Sequence, residues 1–259
     1  MRIVIKIGTS TLTHRSGLLN IRRVEHLCKV FSDLKNAGHE LVIVSSGAIG
    51  VGVGKLSLKE KPADIPTKQA AAAVGQCELM YIYDKLFAEY NHTVAQILIT
   101  GEDIESPKRA KNFHNTIFRL LELGALPIIN ENDTIAVDEI VIGDNDTLGA
   151  IVASTIGADL LILLSDIDGL FTADPQRDPS AKLIPVVEAI TPEMEAAARG
   201  AGSALGTGGM QTKLAAAKIA TGAGVEMVIA NGTRPDALYD IVEGKPCGTR
   251  FLSKGEKKA

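Results

Sequence analysis

Short runs of aliphatic residues alternate along this chain with segments whose apolar residues recur at helical spacing. The aliphatic runs cover residues 3–5, 41–44, 94–99, 126–129, 160–164 and 225–229. Nearly continuous apolar runs of this length are typical of strands that are buried on both faces, as in a parallel sheet.

The stretches between these runs carry helical patterns. After the first run, apolar residues recur every three or four positions, at Ile21, Val24, Leu27, Phe31 and Leu34. Gly38, Gly124 and Gly157 follow such patterns, at the place where a left-handed C-terminal cap is expected. Thr191-Pro192 and Arg234-Pro235 predict two later helix starts, with proline at the first helical position.

The alternation of strands and helices decides the fold class. It predicts an α/β protein of three layers, α/β/α, with a central, mostly parallel sheet that helices cover on both sides. No linker rich in Pro, Gly or Ser divides the chain, so we expect a single domain with two lobes.

The composition is that of a globular protein. Of 259 residues, 46% are hydrophobic and 22% are charged, which excludes an intrinsically disordered chain. The formal net charge of −4 and the aromatic content of 4% argue against a nucleic-acid binder. No secretory leader is predicted, because Lys6 interrupts the first apolar run, and no membrane span, because the most apolar stretch, residues 148–164, is short and is interrupted by Asp159. We therefore expect a cytoplasmic protein with no nucleic-acid or membrane partner.

Two lysines stand where their charge needs an explanation. Lys6 interrupts an otherwise apolar strand, so it either reaches solvent at the sheet edge or faces an anionic ligand. Lys213 lies in the first turn of a helix that follows a glycine-rich loop, where the helix dipole disfavours a cation unless an anion is bound. The loop, the helix N-terminus and the lysine together make a phosphate site in mechanism, although without the Walker spacing.

A second glycine-rich segment, residues 45–55, directly follows the second strand. Its small residues let backbone N–H groups approach an anion, although the same residues are also common in turns. Ile49 stands where a Walker A loop needs glycine, and Lys55 stands where a dinucleotide fingerprint needs one. The sequence therefore supports neither a P-loop kinase nor a Rossmann dinucleotide enzyme.

Acidic and amide side chains cluster after the fourth strand and before the next helix, as Asn130-Glu131-Asn132-Asp133 and Asp144-Asn145-Asp146. One such residue before a helix is an ordinary N-cap, but a cap needs only a single side chain. The excess indicates binding of cations, whether Mg²⁺, an ammonium group or the two lysines.

Lysines, glycine-rich segments and acidic clusters are the groups that phosphoryl transfer requires, because its catalysis consists mostly of positioning and charge neutralisation. The five histidines show no metal-ligand spacing, and no Ser-His-Asp set or GxSxG segment is present. A carboxylate acceptor is already ionised at neutral pH and needs no general base. The pattern therefore favours transfer to a carboxylate over transfer to an alcohol.

With these residues assembled, the chain resembles the glutamate 5-kinase (γ-glutamyl kinase) family of the amino-acid kinase superfamily. The matching segments are residues 4–10, 44–49, 74–76, 129–133, 141–146, 168–175, 205–210 and 248–251. The most specific combination is Asn-Glu-Asn-Asp at 130–133, Gly-Asp-Asn-Asp at 143–146 and Gly-Thr-Gly-Gly-Met at 206–210. The resemblance implies the amino-acid kinase fold and ATP-dependent phosphorylation of the γ-carboxylate of L-glutamate. The product would be L-glutamyl 5-phosphate, made in the first step of proline biosynthesis.

The resemblance also implies roles for individual residues. The catalytic residues would be Lys6 and Lys213, which neutralise the phosphoryl group, with Asp144 and Asp146, which hold Mg²⁺ or orient the lysines. L-Glutamate would bind to Ser46, Asp133 and Asn145. The ATP-binding residues would be Lys6, Ser165, Asp166, Thr207, Gly208, Gly209, Met210, Gln211, Thr212 and Lys213. Residues 1–145 would form the amino-acid-substrate lobe and residues 146–259 the nucleotide-binding lobe.

Regulation and assembly are implied in the same way. Proline is expected to inhibit the enzyme near the glutamate site, through a loop from Lys111 to Asp133. A homo-oligomer, dimer or tetramer, is also expected. Many family members carry a further C-terminal domain of the PUA type, whereas this chain ends at Ala259, so no RNA-binding role is expected.

Two other functions remain compatible with the residues. Another kinase of the superfamily, acting on acetylglutamate, aspartate, carbamate or UMP, would share the Lys6 segment and the glycines at the strand ends. A non-catalytic amino-acid sensor would keep the fold without the chemistry, although the presence of both lysines argues against it. A screen of acceptors separates the kinases, and ADP release separates a kinase from a sensor.

Overall fold

The computed structural model describes residues 1–14, 16–60, 62–135, 144–175, 177–198 and 209–253. Within these residues, one sheet contains the strands β1 (Arg2–Ile7), β2 (Glu40–Ser45), β3 (Val94–Ile99), β4 (Leu126–Glu131), β5 (Leu160–Ser165), β6 (Val186–Val187), β7 (Glu226–Asn231) and β8 (Thr249–Phe251). Their order is β3-β4-β2-β1-β5-β7-β8-β6, and all neighbouring strands are parallel except β7 and β8. The predicted, mostly parallel sheet is confirmed, and each aliphatic run of the sequence overlaps a strand.

Helices cover both faces of this sheet. In the described part of the chain they are α1 (Thr9–Leu12), α2 (Ile21–Asn36), α3 (Ala48–Lys55), α4 (Ile65–Ala88), α5 (Gly101–Glu105), α6 (Pro107–Glu122), α7 (Asn145–Thr155), α8 (Pro192–Ala198), α9 (Met210–Gly222) and α10 (Ala237–Val242). Alternate residues of β1 point to opposite sides: Ile3 and Ile5 pack with α2 and α4, and Val4 packs with α7 and α9. The three predicted layers are therefore confirmed.

The helix predicted from the apolar spacing after residue 20 is α2. The Asn20 side chain accepts a hydrogen bond from the Arg23 N–H and caps its N-terminus, and Gly38 follows its C-terminus at φ +93°. The start predicted at Pro192 is confirmed. The start predicted at Pro235 is wrong by two residues, because hydrogen bonds from Ala237 N to Arg234 O and from Leu238 N to Pro235 O close a turn there.

The glycine-rich segment after β2 is mainly a helix, α3, and its glycines serve packing. A Cβ added at Gly52 would lie 1.8 Å from Ala71 O, and one added at Gly75 would lie 1.8 Å from Ala48 O. The backbones of α3 and α4 therefore approach each other more closely than any side chain allows. Only residues 46–47, between β2 and α3, remain a loop at the sheet edge.

The prediction of a loop from Lys111 to Asp133 is wrong. Residues 111–122 complete α6, and residues 126–131 form β4. Phe113 and Ile117 are buried against the sheet, so the apolar helical face extends further toward the N-terminus than the sequence prediction placed it.

Candidate active site

The site lies at the carboxyl ends of the central strands, where ligands bind in open parallel sheets. Lys6 lies in β1, opposite Val44 of β2 on one side and Leu163 of β5 on the other. Ser46 follows β2, and Asn130 lies near the end of β4. Helices α7 and α9 begin at the same edge of the sheet, so residues from both halves of the chain meet there.

A single carboxylate joins the two lysines. Asp146 is 1% exposed, and its Oδ1 lies 2.6 Å from Lys6 Nζ and its Oδ2 3.0 Å from Lys213 Nζ. The Thr212 hydroxyl lies 3.0 Å from the same Oδ2. Lys6 is 8% exposed and Lys213 is 3% exposed, so three charges are held in a nearly dry site. Of the two aspartates between which the sequence left the choice open, Asp146 is the one whose carboxylate contacts both lysines.

The ionisation of Asp146 follows from its neighbours. Burial alone would raise the pKa of its carboxyl, but the Lys6 and Lys213 ammonium groups outweigh burial and hold the pKa below its ordinary value. The carboxylate is therefore ionised at neutral pH. One negative and two positive charges leave a net positive centre, which suits an anionic phosphoryl group.

Close packing of α7 on β1 keeps Lys6 in place. A Cβ added at Gly149 would lie 3.4 Å from Lys6 Cβ, so the glycine lets α7 lie against the stem of the lysine. The same approach places Asp146, one turn earlier in α7, beside the Lys6 ammonium.

Asp144 has a different task from Asp146. It is the N-cap of α7, and its Oδ1 accepts the backbone N–H groups of Asp146 at 2.6 Å and Thr147 at 2.9 Å. Burial, followed by the nearby charge of Asp146, raises its pKa in spite of these hydrogen bonds. The cap uses Oδ1, and the other oxygen, Oδ2, accepts a longer hydrogen bond of 3.4 Å from the Thr147 hydroxyl.

Uncharged side chains form a second network beside the lysines. Asn145 donates from Nδ2 to Ser46 Oγ at 2.8 Å and to Asn130 Oδ1 at 3.0 Å. Asn130 donates from its own Nδ2 to Gln76 Oε1 at 3.0 Å. The structure thus brings together Ser46 and Asn145, which were predicted to bind one substrate. Gln76 was not predicted as a site residue, and Asn130 was predicted only as part of the polar cluster at residues 130–133.

Two carboxyl groups lie at the end of β4: Glu131 is its last residue, and Asp133 follows two residues later. Burial raises the pKa of Asp133 to about 6. Burial, then the charges of Asp133 and Asp144, raises the pKa of Glu131 to about 7. Among the described residues, no hydrogen-bond partner faces the buried Oε1 of Glu131. A cationic ligand at Asp133 would relieve the burial of its charge.

The residues predicted to bind ATP lie around the ends of β5 and α9. Ser165 ends β5, and its hydroxyl donates to the exposed Asp166 at 3.2 Å. Gly209 is the N-cap of α9, and among the described residues no side chain caps the first N–H groups of that helix. Such N–H groups at a helix N-terminus can bind an anion. Met210, Gln211 and Thr212 form the first turn. Thr207 and Gly208 lie outside the described residues.

Within the described ranges, no three His, Cys, Asp or Glu side chains are grouped so as to hold a metal ion. No helix in the described part of the chain is long and apolar enough to cross a membrane.

Comparison with known proteins identifies the family. The model of the amino acid kinase family matches residues 1–231. Glutamate 5-kinase of Clostridium perfringens is 54% identical over 257 residues, which are 98% of this chain and 96% of that protein. The chain belongs to the glutamate 5-kinases of the amino acid kinase family. Glutamate 5-kinase of Moorella thermoacetica is 52% identical over 98% of this chain, and the match covers 67% of that longer protein.

Solved structures of amino acid kinases share the fold. Carbamate kinase from Giardia lamblia, bound to AMP-PNP, has a TM-score of 0.68 at 20% identity, covering 98% of both chains. Isopentenyl phosphate kinase of T. acidophilum has a TM-score of 0.66 at 17% identity, covering 97% of this chain and all of that one. Their names give different acceptors on one fold, so the fold alone does not identify the acceptor.

Proposed function

We propose that this chain transfers the γ-phosphoryl group of ATP to the γ-carboxylate of L-glutamate, giving ADP and L-glutamyl 5-phosphate. The observation that carries the proposal is the pair of buried lysines joined by Asp146, in a chain 54% identical to a glutamate 5-kinase over 98% of its length. The reaction would be the first step of proline biosynthesis.

The lysines would stabilise the negative charge of the phosphoryl group while it transfers. Lys6 lies between the strands of the two halves, and Lys213 comes from the helix that begins beside the predicted ATP residues. Because Asp146 fixes both ammonium groups before substrates arrive, their charges need no reorganisation as negative charge spreads over the phosphoryl oxygens. The acceptor carboxylate attacks in its ionised form, so no side chain has to remove a proton.

L-Glutamate would occupy the edge formed by the loop after β2 and the end of β4. The γ-carboxylate needs hydrogen-bond donors, and the Ser46 hydroxyl beside Asn145 supplies one. The α-ammonium group needs an anion, and Asp133 supplies a carboxylate whose burial only such a partner offsets. These contacts would make residues 1–145 the acceptor lobe.

The nucleotide would lie over residues 146–259, between Ser165-Asp166 and the first turn of α9. Residues 207–213, including Thr207 and Gly208, would contact its phosphates through backbone N–H groups. The N-terminus of α9 and Lys213 would both face the transferring group.

Mg²⁺ would accompany ATP and neutralise charge on its phosphates. Asp144 fits this ion better than Asp146, because both oxygens of Asp146 already face ammonium groups while the Oδ2 of Asp144 does not. A single protein carboxylate is ordinary for Mg²⁺, which keeps waters and substrate phosphates as its other ligands.

Inhibition, assembly and compartment complete the proposal. Proline carries an α-carboxylate and an ammonium group, as glutamate does, so it would compete for Asp133 and act as a feedback inhibitor. The chain would act in the cytoplasm as a homo-oligomer, dimer or tetramer. Light scattering of the purified chain measures its mass in solution, and a monomer would contradict that assignment.

The reaction is tested by trapping its product. The protein is incubated with ATP, Mg²⁺, L-glutamate and hydroxylamine, which converts an acyl phosphate to a hydroxamate, with and without proline. We expect hydroxamate that requires both ATP and glutamate and that falls when proline is added. Faster ADP release with UMP, carbamate, aspartate or acetylglutamate than with L-glutamate would contradict the assignment of glutamate as the acceptor. Glutamate binding without ADP release would indicate a sensor.

A further inference from the structure

Helix α4 sends a polar side chain into the acceptor edge of the site. Gln76 lies midway along this helix and is 9% exposed, and its Oε1 accepts from the side chain of Asn130, 54 residues later. The close packing of α3 on Gly75 fixes the neighbouring backbone, so Gln76 has little freedom to move.

The hydrogen bonds that link Gln76 to Ser46 through Asn130 and Asn145 have a defined direction. Because Gln76 Oε1 accepts, Asn130 turns its Nδ2 toward α4 and its Oδ1 toward Asn145. Asn145 then presents Nδ2 to that oxygen and to Ser46 Oγ. If the Asn130 amide were reversed, its NH₂ group would face the NH₂ group of Asn145. Two buried donors would then lose their hydrogen bond, which costs free energy.

This chain of hydrogen bonds ends at the hydroxyl of Ser46, in the loop after β2. Since Ser46 Oγ accepts a hydrogen bond from Asn145, the hydroxyl proton of Ser46 is left to be donated elsewhere. A carboxylate accepts hydrogen bonds and donates none, so it needs this proton. If Ser46 donated its proton to Asn145 instead, the carboxylate would meet a hydroxyl oxygen that could only accept.

We infer that Gln76 is a positioning residue for the acceptor carboxylate, acting through Asn130 and Asn145 on the direction of the Ser46 hydroxyl. It touches neither substrate nor phosphoryl group. The inference rests on the proposed function, because it takes the ligand at Ser46 to be a carboxylate.

Tyr83 supplies a matched control on the same helix. It lies two turns after Gln76, is fully buried, and forms a 2.9 Å hydrogen bond through its hydroxyl with Ser45 Oγ. Tyr83→Phe therefore removes one buried hydrogen bond between α4 and the sheet and leaves all four side chains of the network, those of Gln76, Asn130, Asn145 and Ser46, unchanged. Both Gln76→Met and Tyr83→Phe should lower the thermal midpoint by a few degrees.

The test is a double-mutant cycle on glutamate kinetics at saturating ATP. We expect Gln76→Met to lower kcat/KM for glutamate about tenfold, mainly through KM, and to leave the KM for ATP within about twofold. Tyr83→Phe should change neither kcat/KM for glutamate nor the KM for ATP. In the Ser46→Ala background, Gln76→Met should cost less than about twofold, because the hydroxyl it orients is gone.

Each of the following results would overturn the inference. A full tenfold loss on top of Ser46→Ala would mean that Gln76 acts independently of the Ser46 hydroxyl. An equal loss in Tyr83→Phe would mean that any weakened contact of α4 has the same effect. Gln76→Glu keeps an acceptor oxygen in either protonation state. Its kcat/KM for glutamate should therefore stay within about threefold of the value for the unmodified protein. A tenfold loss in Gln76→Glu would contradict the inference even if Gln76→Met fails to fold.

Failure of the proposed function is visible separately. In that case the unmodified protein forms no hydroxamate with glutamate, before any variant is compared. If the unmodified protein is active and Gln76→Met has unchanged glutamate kinetics, only the positioning role falls.

Discussion

Two neighbouring residues in the first turn of α7 face two halves of the site that are built on different physical principles. Asp146 lies between two ammonium groups, at 2.6 and 3.0 Å, and its contacts are between charges. Asn145 contacts Ser46 and Asn130, and its contacts are hydrogen bonds between neutral groups. One helix thus ties a charged half, centred on the lysines, to an uncharged half, centred on the amides.

The difference has consequences for function. Attraction between charges depends weakly on direction, so the charged half tolerates movement of the phosphoryl group during transfer. Hydrogen bonds between amides and hydroxyls require both direction and the correct donor, so the uncharged half selects a ligand in one orientation. We therefore expect substitutions in the charged half to lower kcat. Substitutions in the uncharged half, and of Asp133 beside it, should raise the KM for glutamate.

The largest effect is expected at Lys213. Lys213→Ala should lower kcat about a thousandfold while changing the glutamate KM less than about threefold, because the charge matters most as the phosphoryl group transfers. Lys218→Ala is the control, since this exposed lysine of α9 pairs with Glu195 outside the site. An unchanged kcat in Lys213→Ala would remove Lys213 from the mechanism.

The next largest effect is expected at Asp133. Asp133→Ala should raise the glutamate KM about thirtyfold, because the α-ammonium group loses its carboxylate partner. Glu122→Ala, which removes an exposed carboxylate paired with Arg119 on α6, should leave that KM unchanged. A rise confined to the KM for ATP would contradict the assignment of Asp133 to the binding of glutamate.

The pKa of Asp133 predicts a pH dependence. Burial raises this pKa to about 6 in the free protein, and an ammonium group binds only the ionised carboxylate. Below pH 6 a proton competes with glutamate, so the KM should rise about tenfold per pH unit as the pH falls. Asp133→Ala should remove this rise. A glutamate KM that stays constant between pH 7 and pH 5 in the unmodified protein would contradict the role.

The smallest effect is expected at Asp144. Asn is as good an N-cap as Asp, so Asp144→Asn should leave the thermal midpoint nearly unchanged. It should raise the Mg²⁺ concentration needed for half-maximal rate by about tenfold or less, since one carboxylate ligand is lost. A lower thermal midpoint with an unchanged Mg²⁺ requirement would make Asp144 a cap and nothing more.

Strong local patterns made much of the fold predictable. The aliphatic runs gave the long strands, because buried parallel strands carry no polar residue except where function requires one. Strands β6 and β8, of two and three residues, are too short to carry a pattern. Helix α4 escaped prediction because alanines and Gly75, which pack against α3, replace the large apolar residues that mark a helix face.

The site was predictable as far as single residues are anomalous in their own segments. Lys6 in an apolar strand and Lys213 at a helix start both stood out by charge alone. The choice of Asp146 over Asp144 depends on which of two side chains in the same helical turn points at the lysines. Gln76 stood out only as part of the family-like segment 74–76, and its place in the site was not predictable because its partner Asn130 is 54 residues away and only the fold brings them together.

The most direct test of the division between the two halves is calorimetric titration of L-glutamate into the Lys213→Ala and Asp133→Ala proteins, each with Mg²⁺ and a non-hydrolysable ATP analogue. We expect Lys213→Ala to bind glutamate within about threefold of the Kd of the unmodified protein, and Asp133→Ala to bind it at least about tenfold more weakly. Weak binding in Lys213→Ala together with normal binding in Asp133→Ala would contradict the division.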